Sequence, residues 1–180
     1  MKTIIAIVCV AAVFLVGFGV TQYVITNIND PASTMMSGSM AETALSAAIS
    51  GEVNYPGTYV LTKGATMLDL INAAGGTNSN ADSLAFNTDY ILENKGAYYI
   101  APLYDNSDSC SASPITKTNI NADDVENLTT IAGFTKTVAN AIISYRASAP
   151  FKAIEEIKNV SGIGAATYEK VKTRITLRSA

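Results

Sequence analysis

The chain has 180 residues, no histidine and two cysteines, with a formal net charge of -3. The lack of histidine excludes His-based acid–base catalysis, the common nucleophile triads and most transition-metal sites, so no catalytic residue, cofactor or metal is expected. Residues 22–114 carry Lys63 and Lys95 against nine acids, a net of -7, whereas residues 115–180 carry nine bases against six acids, a net of +3. That asymmetry predicts two modules with different partners.

Between Thr3 and Val20 stand 18 residues without a charge, rich in Ile, Val, Ala and Phe. As a helix this run reaches about 27 Å, enough for a bilayer core. Lys2 is the only nearby basic side chain and the next is Lys63, which puts the N-terminus in the cytoplasm and the rest outside. A cleaved signal peptide is the competing reading. Its apolar core is usually shorter, however, and no small-x-small site follows Val20. Residues 1–28 are expected to form a transmembrane signal anchor, a single pass in the cell membrane with the later domains extracytoplasmic. Residues 29–47, with Pro31 and paired Met35 and Met36, read as a flexible stalk. Cys9 lies in the apolar run and Cys110 in a polar stretch, so the two are not expected to pair; Cys110 is either free or a link between two chains.

From Ala48 the pattern turns to short strands. Ile49 and Val53, then Tyr59 to Leu61, predict two strands around a turn at Pro56-Gly57. Thr66 caps a helix carrying Met67, Leu68, Leu70, Ile71 and Ala74, which Gly75-Gly76 stops. Tyr90 to Leu92 and Tyr98 to Ala101 predict two further strands. One helix over one small sheet is a compact α+β unit. The pieces Gly51-Glu52-Val53, Pro56-Gly57-Thr58-Tyr59, Met67-Leu68-Asp69-Leu70-Ile71, Ala74-Gly75-Gly76 and Tyr99-Ile100-Ala101-Pro102 resemble the SLBB domain (soluble-ligand-binding β-grasp), here over residues 48–103. The resemblance implies binding of carbohydrate or cell-surface material, or self-association. The glycines and the apolar helix face equally suit any small fold, and no binding residue stands out. Residues 104–117, rich in Ser, Asp and Asn, read as a linker.

The last segment, residues 118–180, is predicted to be all helical. A helix opens at Asn121 or Ala122, with Asp123, Asp124 and Glu126 in its first turn, where the helix dipole favours acids. It breaks at Ala132-Gly133-Phe134-Thr135, and a second helix runs from Lys136 to Arg146. Phe151 and Ile154 start a third. The pattern Leu128-x-x-Ile131-x-Gly133-Phe134 then recurs 29 residues on, from Leu128 to Ile157, as Ile157-x-x-Val160-x-Gly162-Ile163, an internal repeat. A last helix carries Tyr168, Val171 and Ile175.

A Gly-Ile-Gly turn takes positive φ or passes close to its target, and it leaves backbone N–H groups at the start of the next helix facing outward. Such donors suit a phosphate oxygen. Phe134 and Ile163 are expected to pack inward and set the two loops. Lys136, Lys158, Lys170, Lys172 and Arg174 are candidates for charge-assisted contacts to neighbouring phosphates, which carry no base information.

Thr118-Asn119-Ile120-Asn121, Tyr145-Arg146, Pro150-Phe151-Lys152 and Val160-Ser161-Gly162-Ile163-Gly164 resemble a tandem helix-hairpin-helix domain of the kind found in ComEA-type competence DNA receptors. With the anchor and the SLBB-like module, the likeness covers nearly the whole chain, so the expected fold class is membrane-anchored α+β. It implies sequence-independent capture of double-stranded DNA for uptake in natural transformation, with the two loops on phosphates either side of a minor groove. Import-channel proteins would be the partners. The implied DNA-binding residues are Gly162, Ile163, Gly164 and Ala165 in the second loop and Gly133, Phe134, Thr135 and Lys136 in the first, with Lys158, Lys170, Lys172 and Arg174 around them. The first loop has Thr135 where a second glycine is usual and Ala132 where proline often stands. A non-glycine at positive φ is costly, so the second hairpin is expected to carry more of the binding.

Two other functions compete. DNA glycosylases also use helix-hairpin-helix units, but only 18 residues follow Gly162 and Glu169 is their sole acid, so no enzyme is expected. The alternative is a surface adhesin acting through the SLBB-like module, with the helical repeats as a protein-interaction module.

Overall fold

Alternation of apolar residues builds the first sheet. In β1 (Ala44–Gly51), Leu45, Ala47 and Ile49 are buried on one face while Ala44, Ser46 and Ala48 are only partly covered, the period-two pattern of a strand with one face on a core. β2 (Gly57–Thr62) pairs with it antiparallel, Ser46 opposite Val60. β3 (Gly96–Ile100) lies on its other side in parallel, Ile49 opposite Tyr98. Between β2 and β3 comes α1 (Met67–Ala73), started by a capping box. The Thr66 hydroxyl accepts from the Asp69 N–H, and the Asp69 carboxylate accepts from the Thr66 N–H at 2.8 Å. Met67, Leu70 and Ile71 close over Leu45, Ile49, Tyr98 and Ile100 to make the core.

These features come from a computed structural model, which describes residues 43–105 and 113–179. The anchor expected over 1–28, all but the last residues of the expected stalk, and Cys110 lie outside the described residues. Among the described residues no helix is long and apolar enough to cross a membrane.

β1 begins at Ala44, so residues 44–47 belong to the sheet and not to the stalk. Val53 and Ile91 lie outside the named strands and form only single bridges, to Thr77 and Thr66. Residues 104–117 are not a plain linker: β4 (Tyr104–Asp105) pairs antiparallel with β5 (Ser113–Pro114). Only 6% of the Lys117 side chain is exposed, its ammonium 2.5 Å from the Asp82 carboxylate and donating also to the Pro102 carbonyl.

The helical segment departs from its forecast at both ends. β6 (Thr118–Asn119) pairs in parallel with β7 (Ile175–Thr176), so Ile175 closes a two-stranded ribbon instead of extending the last helix, and the domain is not purely α. The first helix, α2 (Val125–Thr130), starts four residues later than Asn121, with Asp124 as its cap. The residues before it build a turn in which the Asp123 carboxylate accepts from the Asn119 N–H and the Thr118 hydroxyl. α3 (Lys136–Ser148) follows as predicted and runs two residues further. Ile154–Asn159 form a 3-10 helix, η1, not an α-helix, and α4 spans Ala165–Val171. Ile120, Leu128, Phe134, Ile142, Phe151, Ile154, Ile157, Ile163, Val171 and Leu177 share one core.

The two modules expected to be separate form one compact unit, Ala44–Ala180. Tyr99 of β3 packs on the helical core. The Leu177 N–H donates to the Leu84 carbonyl, and Arg178 donates to the carbonyls of Ser83 and Phe86. Together with the Lys117–Asp82 pair, these contacts strap the last residues of the helical part to the first module.

Candidate nucleic-acid interface

The two breaks in the helical repeat are the hairpins. In the first, the chain leaves α2 at Ile131 and turns through Gly133 at φ +78 into Phe134, which is 5% exposed. In the second it leaves η1 at Val160 and turns through Gly162 at φ +91 into Ile163, which is 4% exposed. Each loop therefore places its leading glycine in the left-handed region, where side chains are costly. Each also drives its next apolar residue into the core, as expected. A Cβ on Gly162 would come within 3.1 Å of the Val138 side chain in α3. The second loop thus rests against the helix that the first loop launches, and the sequence-predicted loops sit side by side.

Thr135 and Gly164 occupy corresponding places as helix N-caps, and neither is at positive φ. Thr135 has φ -71 and ψ 154, and Gly164 has φ -95 and ψ -180. Both conformations suit any residue, so the first loop carries no strain at Thr135 and the expected distortion is absent. What separates the two hairpins is capping. The Thr135 hydroxyl accepts from the Val138 N–H at 3.3 Å, taking up one of the donors that α3 would otherwise leave open. Gly164 supplies no side-chain cap to α4. Gly164, Ala165 and Ala166 are exposed, and a Cβ on Gly164 would meet nothing within 4 Å.

The basic residues fall into two groups. Lys136, at the first position of α3, and Lys170 on α4 are exposed. Lys158 lies over the Tyr168 ring at 4.9 Å, and Arg174, though exposed, donates to the Ile131 carbonyl at 3.4 Å, tying the end of one repeat to the turn of the other. Lys172 faces the first module: it pairs with Glu169 and sits 4.3 Å over the Tyr99 ring. Arg146, one of the residues carrying the family likeness, donates to the carbonyls of Ile120, Ala122 and Asp123 and so holds the turn before α2.

Sequence reasoning passed over Glu155. It is 9% exposed, and burial raises its carboxyl above the ordinary value, against the hydrogen bonds from Tyr99 and Tyr168 and the charge of Lys158. Its setting between Ile154 and Ile157, both buried, was the available signal. Burial and the neighbouring Glu155 carboxylate in turn push the Tyr168 phenol far up.

A sheet-and-helix unit bonded to paired helical hairpins defines an SLBB domain joined to a helix-hairpin-helix domain. Residues 47–87 match the SLBB domain and residues 113–176 the helix-hairpin-helix motif. ComE operon protein 1 of Bacillus subtilis (strain 168) is 34% identical over 140 residues, 72% of this chain and 68% of that protein. The chain belongs to the family of ComEA-type competence DNA receptors. A shorter likeness, 44% over 62 residues, links it to endonuclease/exonuclease/phosphatase family domain-containing protein 1 of Xenopus laevis, and the human counterpart is 42% identical over the same length. That likeness covers 34% of this chain and 11% of those proteins.

Proposed function

We propose that the chain captures double-stranded DNA through its phosphate backbone, without regard to sequence, for uptake in natural transformation. The observation that carries this reading is Gly164. Its φ is ordinary and no atom of the chain lies where its Cβ would be, so neither backbone conformation nor internal packing calls for glycine. A surface that must be approached closely from outside does. The uncapped start of α4 supplies backbone donors at that point, and phosphate is the anion such donors suit. Gly162, Ile163 and Ala165 build the same loop. Gly133, Phe134, Thr135 and Lys136 form the second contact, with one donor fewer because Thr135 uses it. Lys170, Lys158 and Arg174 add positive charge around the loops. Lys172 serves the module interface first.

In this reading residues 1–28 hold the protein at the cell membrane with its folded part outside, and separate import-channel proteins take over the captured DNA. Among the described residues β2 is an edge strand of the SLBB sheet, and with Val60 75% exposed it offers a surface for self-association. The chain acts as a receptor and not as an enzyme.

The test is fluorescence anisotropy of the full chain with labelled duplexes of unrelated sequence, across a salt series, for the parent and Gly164→Leu. Expected are similar affinities for all duplexes that fall steeply with salt. Gly164→Leu should weaken binding about tenfold or more while costing no more than about 1 kcal/mol of stability, the range for losing a tolerable N-cap. A variant that binds as tightly as the parent would remove the loop–phosphate contact from consideration.

A further inference from the structure

β3 is an edge strand of the SLBB sheet, whose order is β2-β1-β3. An edge strand presents backbone donors that need a partner, and here one is satisfied from the other domain: the Tyr99 N–H donates to the Glu155 carboxylate at 2.8 Å. The same oxygen of Glu155 accepts from the Tyr168 hydroxyl at 3.0 Å. Tyr168 lies in α4, and its own N–H donates at 3.0 Å to the carbonyl of Gly164, the N-cap at the second hairpin. The SLBB edge is thus linked through Glu155 to the Tyr168 side chain, and through the Tyr168 backbone to Gly164. Two cations flank this link, Lys158 over the Tyr168 ring and Lys172 over the Tyr99 ring. Glu155 and Tyr168 are both buried. An apolar side chain could fill such a place without the cost of burying a carboxyl, and burial indeed raises that carboxyl. Two donors from different domains converging on one oxygen account for an acid here.

We propose that Glu155 is a positioning residue for DNA capture, fixing α4 and the loop Gly162–Gly164 against the β3 edge so that the SLBB domain sets the pose of the second hairpin. The inference rests on the reading of that hairpin as a DNA contact. It makes the SLBB domain part of the binding apparatus rather than a spacer. It also assigns Glu155 a role through Tyr168, with no contact to DNA.

The test uses the full chain with Glu155→Gln, Glu155→Leu, Tyr168→Phe and the loop variant Gly164→Leu. Duplex affinity is read by anisotropy and protection of the Tyr99 amide by hydrogen exchange. The glutamine carbonyl accepts the same two donors, so Glu155→Gln should keep the Tyr99 amide protected and bind DNA within about twofold of the parent. Glu155→Leu should expose that amide and weaken binding about fivefold or more. Tyr168→Phe keeps the ring and the Tyr99 link and removes only the hydroxyl, so it carries the test even if Glu155→Leu fails to fold; it too should weaken binding severalfold. Parent-like affinity in Tyr168→Phe, with Gly164→Leu impaired, overturns the positioning role and leaves the hairpin reading standing. Parent-like affinity in Gly164→Leu sinks the hairpin reading, and the positioning role with it.

Discussion

The two hairpins share a core position, a left-handed glycine and an inward-pointing apolar residue, yet they finish differently. The first ends in a threonine that satisfies its own helix, and the second in a glycine that does not. A capped helix start is more stable alone, whereas an uncapped one keeps its donors for a visitor. On the proposed reading of the hairpins as DNA contacts, the first loop contributes more to stability and the second to capture. Their surroundings differ as well, because only the second is tied through Tyr168 and Glu155 to the SLBB sheet.

The sharpest way to break the comparison is at the leading glycines. Gly162→Leu and Gly133→Leu both force a bulky residue to positive φ, at about 1–3 kcal/mol each. Gly162→Leu also drives into Val138, where even a Cβ would be 3.1 Å away, whereas a Cβ on Gly133 meets nothing within 4 Å. Gly162→Leu should therefore cost about 1 kcal/mol more and lose more DNA affinity; urea titrations read the first and anisotropy the second. Equal losses would mean that the packing of the second loop against α3 is immaterial.

A smaller effect should come from converting the first hairpin to the second. Thr135→Gly releases the Val138 N–H and should cost only a few tenths of a kcal/mol at an N-cap, while DNA affinity rises about twofold. If affinity stays flat or falls, capping is not what separates the loops.

The smallest effect is a pH signature from Glu155, beside the second hairpin. Facing Glu155 are Tyr168 from α4, Tyr98 and Tyr99 from β3, Tyr90 from the loop before it, and Glu156 and Lys158 from η1. Burial raises its carboxyl above the ordinary 4.5, so the fold favours the protonated form. That contribution is complete below about pH 4.5 and is lost as pH rises through the folded value. As pH falls toward 4.5 the parent should gain stability relative to Glu155→Gln, and above the folded value the glutamine variant should be at least as stable. Melting curves of both proteins across this range give the answer, and parallel pH dependences would count against it.

Much of this was legible because the relevant signals are local. Thr66 with Asp69 announces α1, Lys136 opens α3, and Gly133-Phe134 and Gly162-Ile163 mark the turns, each decided by residues within one or two helical turns. The failures come from partners far away in sequence. Ile175 reads as one more apolar residue on a helix, but its strand pairs with Thr118. Lys117 reads as a linker lysine, but its counter-ion is Asp82. Asp123 fits a helix first turn as well as the turn it actually builds, since a carboxylate accepts N–H groups equally in both. At Thr135 the residue type suggests a conformational problem but is a hydrogen-bonding solution, and only the backbone angle tells the two apart.

The Lys117–Asp82 pair has a consequence for how such proteins can be reassembled over evolutionary time. It joins residues on either side of the SLBB–helical junction, both side chains almost wholly out of water. Removing one member of such a pair costs about 3–5 kcal/mol, because the other is left buried and charged. A recombination event that gave this helical segment a different neighbour would leave Lys117 without its counter-ion, and one that gave this SLBB domain a different companion would leave Asp82 without its own. The junction that looks in sequence like a convenient place to exchange parts is therefore a barrier to exchange. The two domains should be inherited together, with positions 82 and 117 drifting only as a couple.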